Sequence, residues 1–230
     1  MSVPPPPEPG GLLGRAVARR EDRRLLMGQG RFLDDIAAPP GCLHAVFVRS
    51  PHPHARIGAI DSAAACALPG VVAVLTGRDL ADHVAPLRMA PPIEGLLPME
   101  MPVLPLHTAR FVGDPVALVL AESRVAAEDA AECVAVDWAP LPAIADMDQA
   151  KAAAALVDPE VPGNRVSHQA FSTPGLDAAF ARADRIVESR FGQHRQTHVP
   201  LEPRGVLAIW DAGREQLTMH VGTQAPHPYR

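Results

Sequence analysis

The residue types best suited to chemistry in this sequence occur in a few short stretches, and spacing decides what each can do. His52 and His54 in SPHPHARI, and His194 and His198 in HRQTH, are metal-binding types. On extended chain, residues four apart lie roughly 13 Å from one another, too far to share one ion. Neither pair has a third ligand nearby, so turn and surface histidines are expected. The stretch GQGRF at 28–32 has two glycines but lacks the GxGxxG spacing of a phosphate cradle, and no strand signal precedes it. It reads as a turn. No GxSxG nucleophile elbow occurs. Glu128, Asp129 and Glu132 share one helical pattern and read as a solvated face. Glu202 is different, because Pro200 and Pro203 flank it and Gly205 follows. That spacing predicts a rigid corner at the start of a strand, with a buried or paired carboxylate in a structural role.

The elements that must position these groups are legible from apolar runs and punctuation. Runs at 43–49 and 56–60 are bounded by Pro, Gly or Ser and predict strands. Pro69 and Gly70 turn into a β-branched strand at 71–75, after which Thr76 caps a short helix through Leu80. Residues 81–107 show no sustained period and are dense in Pro and Met, which predicts a long surface loop. From Gly113 the chain gives the clearest β–α–β pattern: a strand at 116–121, a helix capped by Ser123 with Ala126, Ala130, Cys133 and Val134 on one face, and a strand at 134–138. Residues 147–174 read as a linker with one Ala-rich turn. A short helix at 175–183, an extended run at 184–198, and strands at 205–211 and 216–221 joined by the DAGRE loop complete the pattern.

Composition bounds the class. Apolar residues make up 47% and charged residues 20%, as in ordinary globular chains, while aromatics reach only 4%, so alanine must replace aromatic packing. The 26 prolines favour turns and extended connections over a helical bundle. A net charge of −5, without basic runs interleaved with aromatics, argues against nucleic acid as a partner. No apolar stretch reaches the roughly 18 residues of a membrane helix. Cys42, Cys66 and Cys133 lack CxxC spacing and read as small buried hydrophobes of a reducing, cytoplasmic setting.

Six stretches, in order, carry a resemblance: RREDRRLLMGQGRFLDDI, LHAVFVRSPHPHARI, LPGVVAVLTGRDL, RFVGDPVALVLAESRVAAEDAAECVAVDWAPLPAI, LEPRGVLAIWD and GTQAPH. From about residue 15 to 230 the chain resembles the N-terminal part of the large, molybdopterin-binding subunit of the molybdenum hydroxylases, the xanthine dehydrogenase, aldehyde oxidase and carbon monoxide dehydrogenase group. The resemblance implies an α+β architecture. A disordered Pro-rich tail (1–14) would precede a mixed α/β hammerhead domain (15–146), a linker (147–174) and an incomplete mixed α/β segment opening the first molybdopterin-binding domain (175–230).

It further implies that Gln224, the glutamine of the TQ context, lies beside the molybdenum and hydrogen-bonds an oxo ligand; a neutral amide donates there without adding charge. The family's general-base glutamate and Gly-rich cofactor loop have no match in the 230 residues. The implied activity is oxidative hydroxylation of an aldehyde, an N-heterocycle or a CO-like substrate with water as oxygen source, in an assembly with an iron–sulfur (2Fe–2S) subunit, an FAD-binding subunit and the remainder of the molybdenum subunit. The cofactor expected in that assembly is molybdenum–molybdopterin in its cytosine dinucleotide form. The isolated chain is expected to hold none and to be inactive. The alternative class is a non-catalytic assembly or binding module in which the 81–107 loop contacts partner subunits.

Overall fold

The computed structural model describes residues 14–89 and 93–225. The disordered tail expected for 1–14 therefore falls, except for Gly14, outside the described residues, as do Pro226 and His227 of GTQAPH. The chain forms two compact units, one of residues Gly41–Arg190 and one joining the residues up to Pro40 with those from Phe191 onward.

The first element, α1 (Asp22–Leu26), ends at the GQG stretch. Gly28 adopts φ +70° and donates its N–H to the Leu25 carbonyl, while Gln29 donates to Arg24. This paired 5→2 and 6→1 pattern is a Schellman termination, which needs a residue that tolerates the left-handed region. Gly28 thus serves a helix end, in agreement with a turn.

The Gly41–Arg190 unit is built on two three-stranded sheets. Its elements begin with β1 (His44–Arg49), β2 (Ala55–Asp61), α2 (Ala63–Cys66), β3 (Val71–Thr76) and α3 (Gly77–Leu80). They continue with β4 (Leu87–Met89), β5 (Met99–Met101), β6 (Thr108–Ala109), β7 (Pro115–Ala121), α4 (Arg124–Glu132) and β8 (Ala135–Pro140). One sheet runs β1-β7-β3 and the other β6-β2-β8, and every pairing among the described strands is antiparallel. The β–α–β pattern of the sequence is therefore not a parallel crossover; α4 carries the chain from one sheet to the next. Antiparallel sheets, with α2, α3 and α4 packed against the strands of the β1-β7-β3 sheet, make this an α+β fold.

The core follows from composition. Seven of the thirteen buried apolar residues described are alanine and none is aromatic. Ala127 and Ala130 of α4 lie against Val119, Ala121 and Ala65, where short side chains let helix and sheet approach closely. Ser123 starts α4, its Oγ accepting from the Ala126 N–H at 3.2 Å. Cys133, expected on the buried face, is exposed, as is Cys66. Both stand at the ends of short helices, where a residue turns out of the packed stripe.

The 81–107 segment is not a structureless loop. β4 and β5 pair as a short hairpin carrying an Arg88–Glu100 ion pair at 3.1 Å, and the chain then buries Leu104 and Pro105. Gly77 makes this possible: a Cβ there would stand 2.7 Å from the Leu104 carbonyl oxygen and 3.0 Å from that of Pro105. Three-residue strands are too short to show a period, which is why they are invisible in the sequence.

Residues 147–164 are held by side chains. Asp146 caps α5 (Met147–Ala152) by accepting from the Gln149 N–H at 2.8 Å. Asn164, at φ +54°, accepts from the Val157 N–H and donates to the carbonyls of Ala150 and Ala155. Beyond α6 (Leu176–Ala181), the run expected to be extended at 184–198 forms no strand. Its alternating pattern suits a sheet, but no strand among the described residues pairs with it. The second unit carries the hairpin of β9 (Val206–Asp211) and β10 (Gln216–Val221), in register from Val206↔Val221 to Asp211↔Gln216. Asp211 Oδ1 accepts from the Gly213 and Arg214 N–H groups and fixes the turn expected at DAGRE.

Candidate functional site

Two of the residues singled out by sequence, Glu202 and Gln224, flank the open end of the β9–β10 hairpin. The ladder closes at Val206 and Val221, leaving Gly205 and Gly222 just past its end. Gln224 follows, exposed to solvent, beside Thr223, whose Oγ1 accepts from the Ala225 N–H at 3.1 Å. The Gln224 amide offers a donor and an acceptor within that side-chain turn.

Glu202 stands at the same end. Its Oε1 accepts a 2.7 Å hydrogen bond from the backbone N–H of Leu33, and the side chain is partly buried. Leu33 opens a single 3₁₀ turn, Leu33–Asp35, in which Asp35 Oδ2 accepts from the Phe32 N–H at 2.8 Å. The paired carboxylate expected at the proline-flanked corner is thus present. Its partner, 169 residues away in sequence, has no local signal that could have revealed it.

The other candidates take structural places. His54 is buried, with Nδ1 2.9 Å from the Pro142 carbonyl; since a carbonyl only accepts, that nitrogen donates. His52 meets Trp138 edge-on at 5.6 Å between centroids. His194 and His198 are exposed on chain without regular structure. Glu128, Asp129 and Glu132 are exposed on α4. Among the described residues no group of three or more His, Cys, Asp or Glu could hold a metal ion.

Two carboxyls of the Gly41–Arg190 unit have displaced affinities for protons. Burial pushes the Asp114 carboxyl up, opposed by a hydrogen bond from the Arg110 N–H at 2.9 Å. Hydrogen bonds from the Thr76 hydroxyl and backbone N–H hold Asp79 down. Both stand at turns: Asp114 before β7, and Asp79 within the first turn of α3. Asp79 therefore stabilises a helix start, and Asp114 a corner whose Arg110 also pairs with Asp158 at 2.9 Å.

The Gly41–Arg190 unit thus carries two small antiparallel sheets linked by α4, and the other unit a hairpin with Gln224 just past its open end. Residues 27–142 match the aldehyde oxidase and xanthine dehydrogenase a/b hammerhead domain, and residues 157–230 match the molybdopterin cofactor-binding domain. The chain belongs to the aldehyde oxidase and xanthine dehydrogenase family. It is 38% identical to the nicotine 6-hydroxylase large subunit of Paenarthrobacter nicotinovorans, over 96% of this chain and 27% of that protein. It is 37% identical to the carbon monoxide dehydrogenase large chain of Afipia carboxidovorans, over 95% of this chain and 28% of that one. The solved quinoline 2-oxidoreductase of Pseudomonas putida 86 superposes with a TM-score of 0.83 at 38% identity, over 90% of this chain and 26% of that structure. The chain thus spans about a quarter of the length of these two curated relatives. Among the described residues no helix is long and apolar enough to cross a membrane.

Proposed function

We propose that this chain acts as the N-terminal portion of a molybdenum-hydroxylase large subunit, contributing the hammerhead domain and one amide, Gln224, to a cofactor pocket completed by other residues. The observation that carries this reading is the position of Gln224: an exposed amide past the end of β10, inside the region matched to the molybdopterin cofactor-binding domain. When bound, the molybdenum–molybdopterin group supplies the two-electron acceptor for oxidative hydroxylation of an aldehyde, an N-heterocycle or a CO-like substrate.

The residues present fit a supporting role toward that group. A neutral amide can donate to an oxo ligand without changing the charge of the site. A general base within hydrogen-bond reach of the reacting water must come from another part of the assembly. Glu202 is committed to Leu33 and serves a corner. The same reading takes a 2Fe–2S subunit and an FAD-binding subunit as electron-transfer partners, the cytosine dinucleotide form of the cofactor, and a cytoplasmic location.

A second reading, a subunit-assembly module, is favoured by one feature: Leu87, Met101 and Val103, in and beside the β4–β5 hairpin, are exposed apolar residues.

Expression in a host that makes the cofactor tests the first reading. The chain alone should carry no stoichiometric molybdenum by elemental analysis and reduce no dye with purines, N-heterocycles, aldehydes or carbon monoxide. The complete subunit should do both, and Gln224→Ala in it should lower turnover by about tenfold to a hundredfold, as loss of a hydrogen bond to a metal's ligand does. Stoichiometric molybdenum on the chain alone, or full turnover by the Gln224→Ala subunit, would overturn it.

A further inference from the structure

We infer that Glu202 is a positioning residue for Gln224, packing its anchored carboxylate against the turn that follows β10. One oxygen, Oε1, is anchored on the Leu33 N–H at 2.7 Å. The other, Oε2, lies at packing distance from Gly222, 4.0 Å from where a Cβ on that glycine would stand. Leu33 closes the same gap with its side chain, since a Cβ on Gly205 would meet Leu33 Cδ2 at 2.5 Å. Leu33, Glu202, Gly205 and Gly222 therefore make one packed corner, and Gln224 sits two residues beyond it.

The β9–β10 ladder cannot do this job. Its last pair is Val206↔Val221, so residues 222–224 continue past the point where backbone pairing holds the chain. A charged acceptor suits the anchor on Leu33, because a carboxylate holds a backbone N–H strongly and so keeps the Glu202 side chain in place beside Gly222. Pro203 fixes the backbone after Glu202 and limits the directions its side chain can take. A group that must present an amide in one place needs such support from outside its own turn.

The inference rests on the cofactor reading of Gln224, but its test does not use the cofactor. In the isotopically labelled 230-residue chain, NMR would follow exchange of the Leu33 amide and the backbone order parameters of residues 222–224. Glu202→Leu should speed exchange at Leu33 by about tenfold to a hundredfold. The same change should lower the order parameters at 222–224 from the rigid range of about 0.85 to below about 0.6, leaving the β9–β10 ladder as in the parent chain. Glu202→Gln keeps an acceptor oxygen and should restore both signals. Loss of protection at Leu33 with unchanged order at 222–224 would overturn the inference, because Glu202 would then clip only the N-terminal segment. Uniform loosening of the whole hairpin in both variants would overturn it as well. Failure here leaves the Gln224→Ala turnover result standing, and failure there leaves these signals standing.

Discussion

Replacing Gly77 by alanine tests how the 81–107 segment is fastened. Gly77 is buried as the first residue of α3, with a backbone that alanine could adopt. The obstacle is space. A Cβ would stand 2.7 Å from the Leu104 carbonyl oxygen, 3.0 Å from that of Pro105 and 3.2 Å from the Pro105 carbonyl carbon. Ordinary contact begins near 3.4 Å, so the Leu104–Pro105 peptide would have to retreat by about 0.7 Å. These are backbone atoms of buried residues, which cannot swing away as a side-chain tip could. Overpacking of this kind costs about 1–3 kcal/mol. Alanine recovers up to about 1 kcal/mol over glycine in a helix interior, and less in the first turn of a helix this short. The net expectation is a loss of about 1–2 kcal/mol, or a fall in melting temperature of about 3–6 °C for a unit of this size. Urea unfolding followed by circular dichroism would measure it, with Gly192→Ala as the control, since a Cβ there meets nothing within 4 Å. An unchanged or raised midpoint for Gly77→Ala would refute the close approach.

Asp114 should give a pH signature. Its folded-state proton affinity is raised by burial, so its contribution to stability falls as pH climbs from the ordinary carboxylate range through the raised value. Asp114→Asn keeps an acceptor for the Arg110 N–H, should abolish that part of the slope in unfolding free energy against pH, and should be no less stable than the parent at neutral pH. Asn164→Ala removes three hydrogen bonds and places a Cβ-bearing residue without a polar side chain at φ +54°, which should cost about 2–3 kcal/mol in urea unfolding and expose the Val157 amide to exchange. Chymotrypsin should cut first at Phe171, Phe191 and Leu201, each more than 90% exposed, and only later at Phe47 within β1. Earlier cleavage at Phe47 would contradict this order.

The elements legible in the sequence were those whose burial is local and repeated. β1, β2, β3, β7, α4 and β8 have apolar runs long enough to show a period and turn residues that bound them. What escaped depends on partners distant in sequence. The run at 184–198 has the alternation of a strand, yet a strand exists only as a member of a sheet, and alternation says nothing of the neighbour. β4, β5 and β6 are two or three residues long and owe their pairing to where the chain is brought back. The cysteines read as buried because residue type predicts average burial, whereas Cys66 and Cys133 fall at helix ends. At the candidate site, the Glu202 corner follows from the prolines around it. Gln224 was reached only through the family resemblance, because a lone glutamine in a polar stretch has no pattern of its own.

The bond from Leu33 to Glu202 also sets an order of events during synthesis. The two residues are 169 positions apart, so at ordinary translation speeds the donor leaves the ribosome roughly 10–30 s before its acceptor. Everything between 41 and 190 belongs to the other compact unit, which can collapse within that interval. Once it has, the stretch still to be closed is no longer a free coil, and the entropy of joining the early segment to the late hairpin shrinks accordingly. The inserted unit thus acts as a built-in timer and spacer: mutations that slow its folding should delay assembly of the Gln224 corner even though they touch none of its residues.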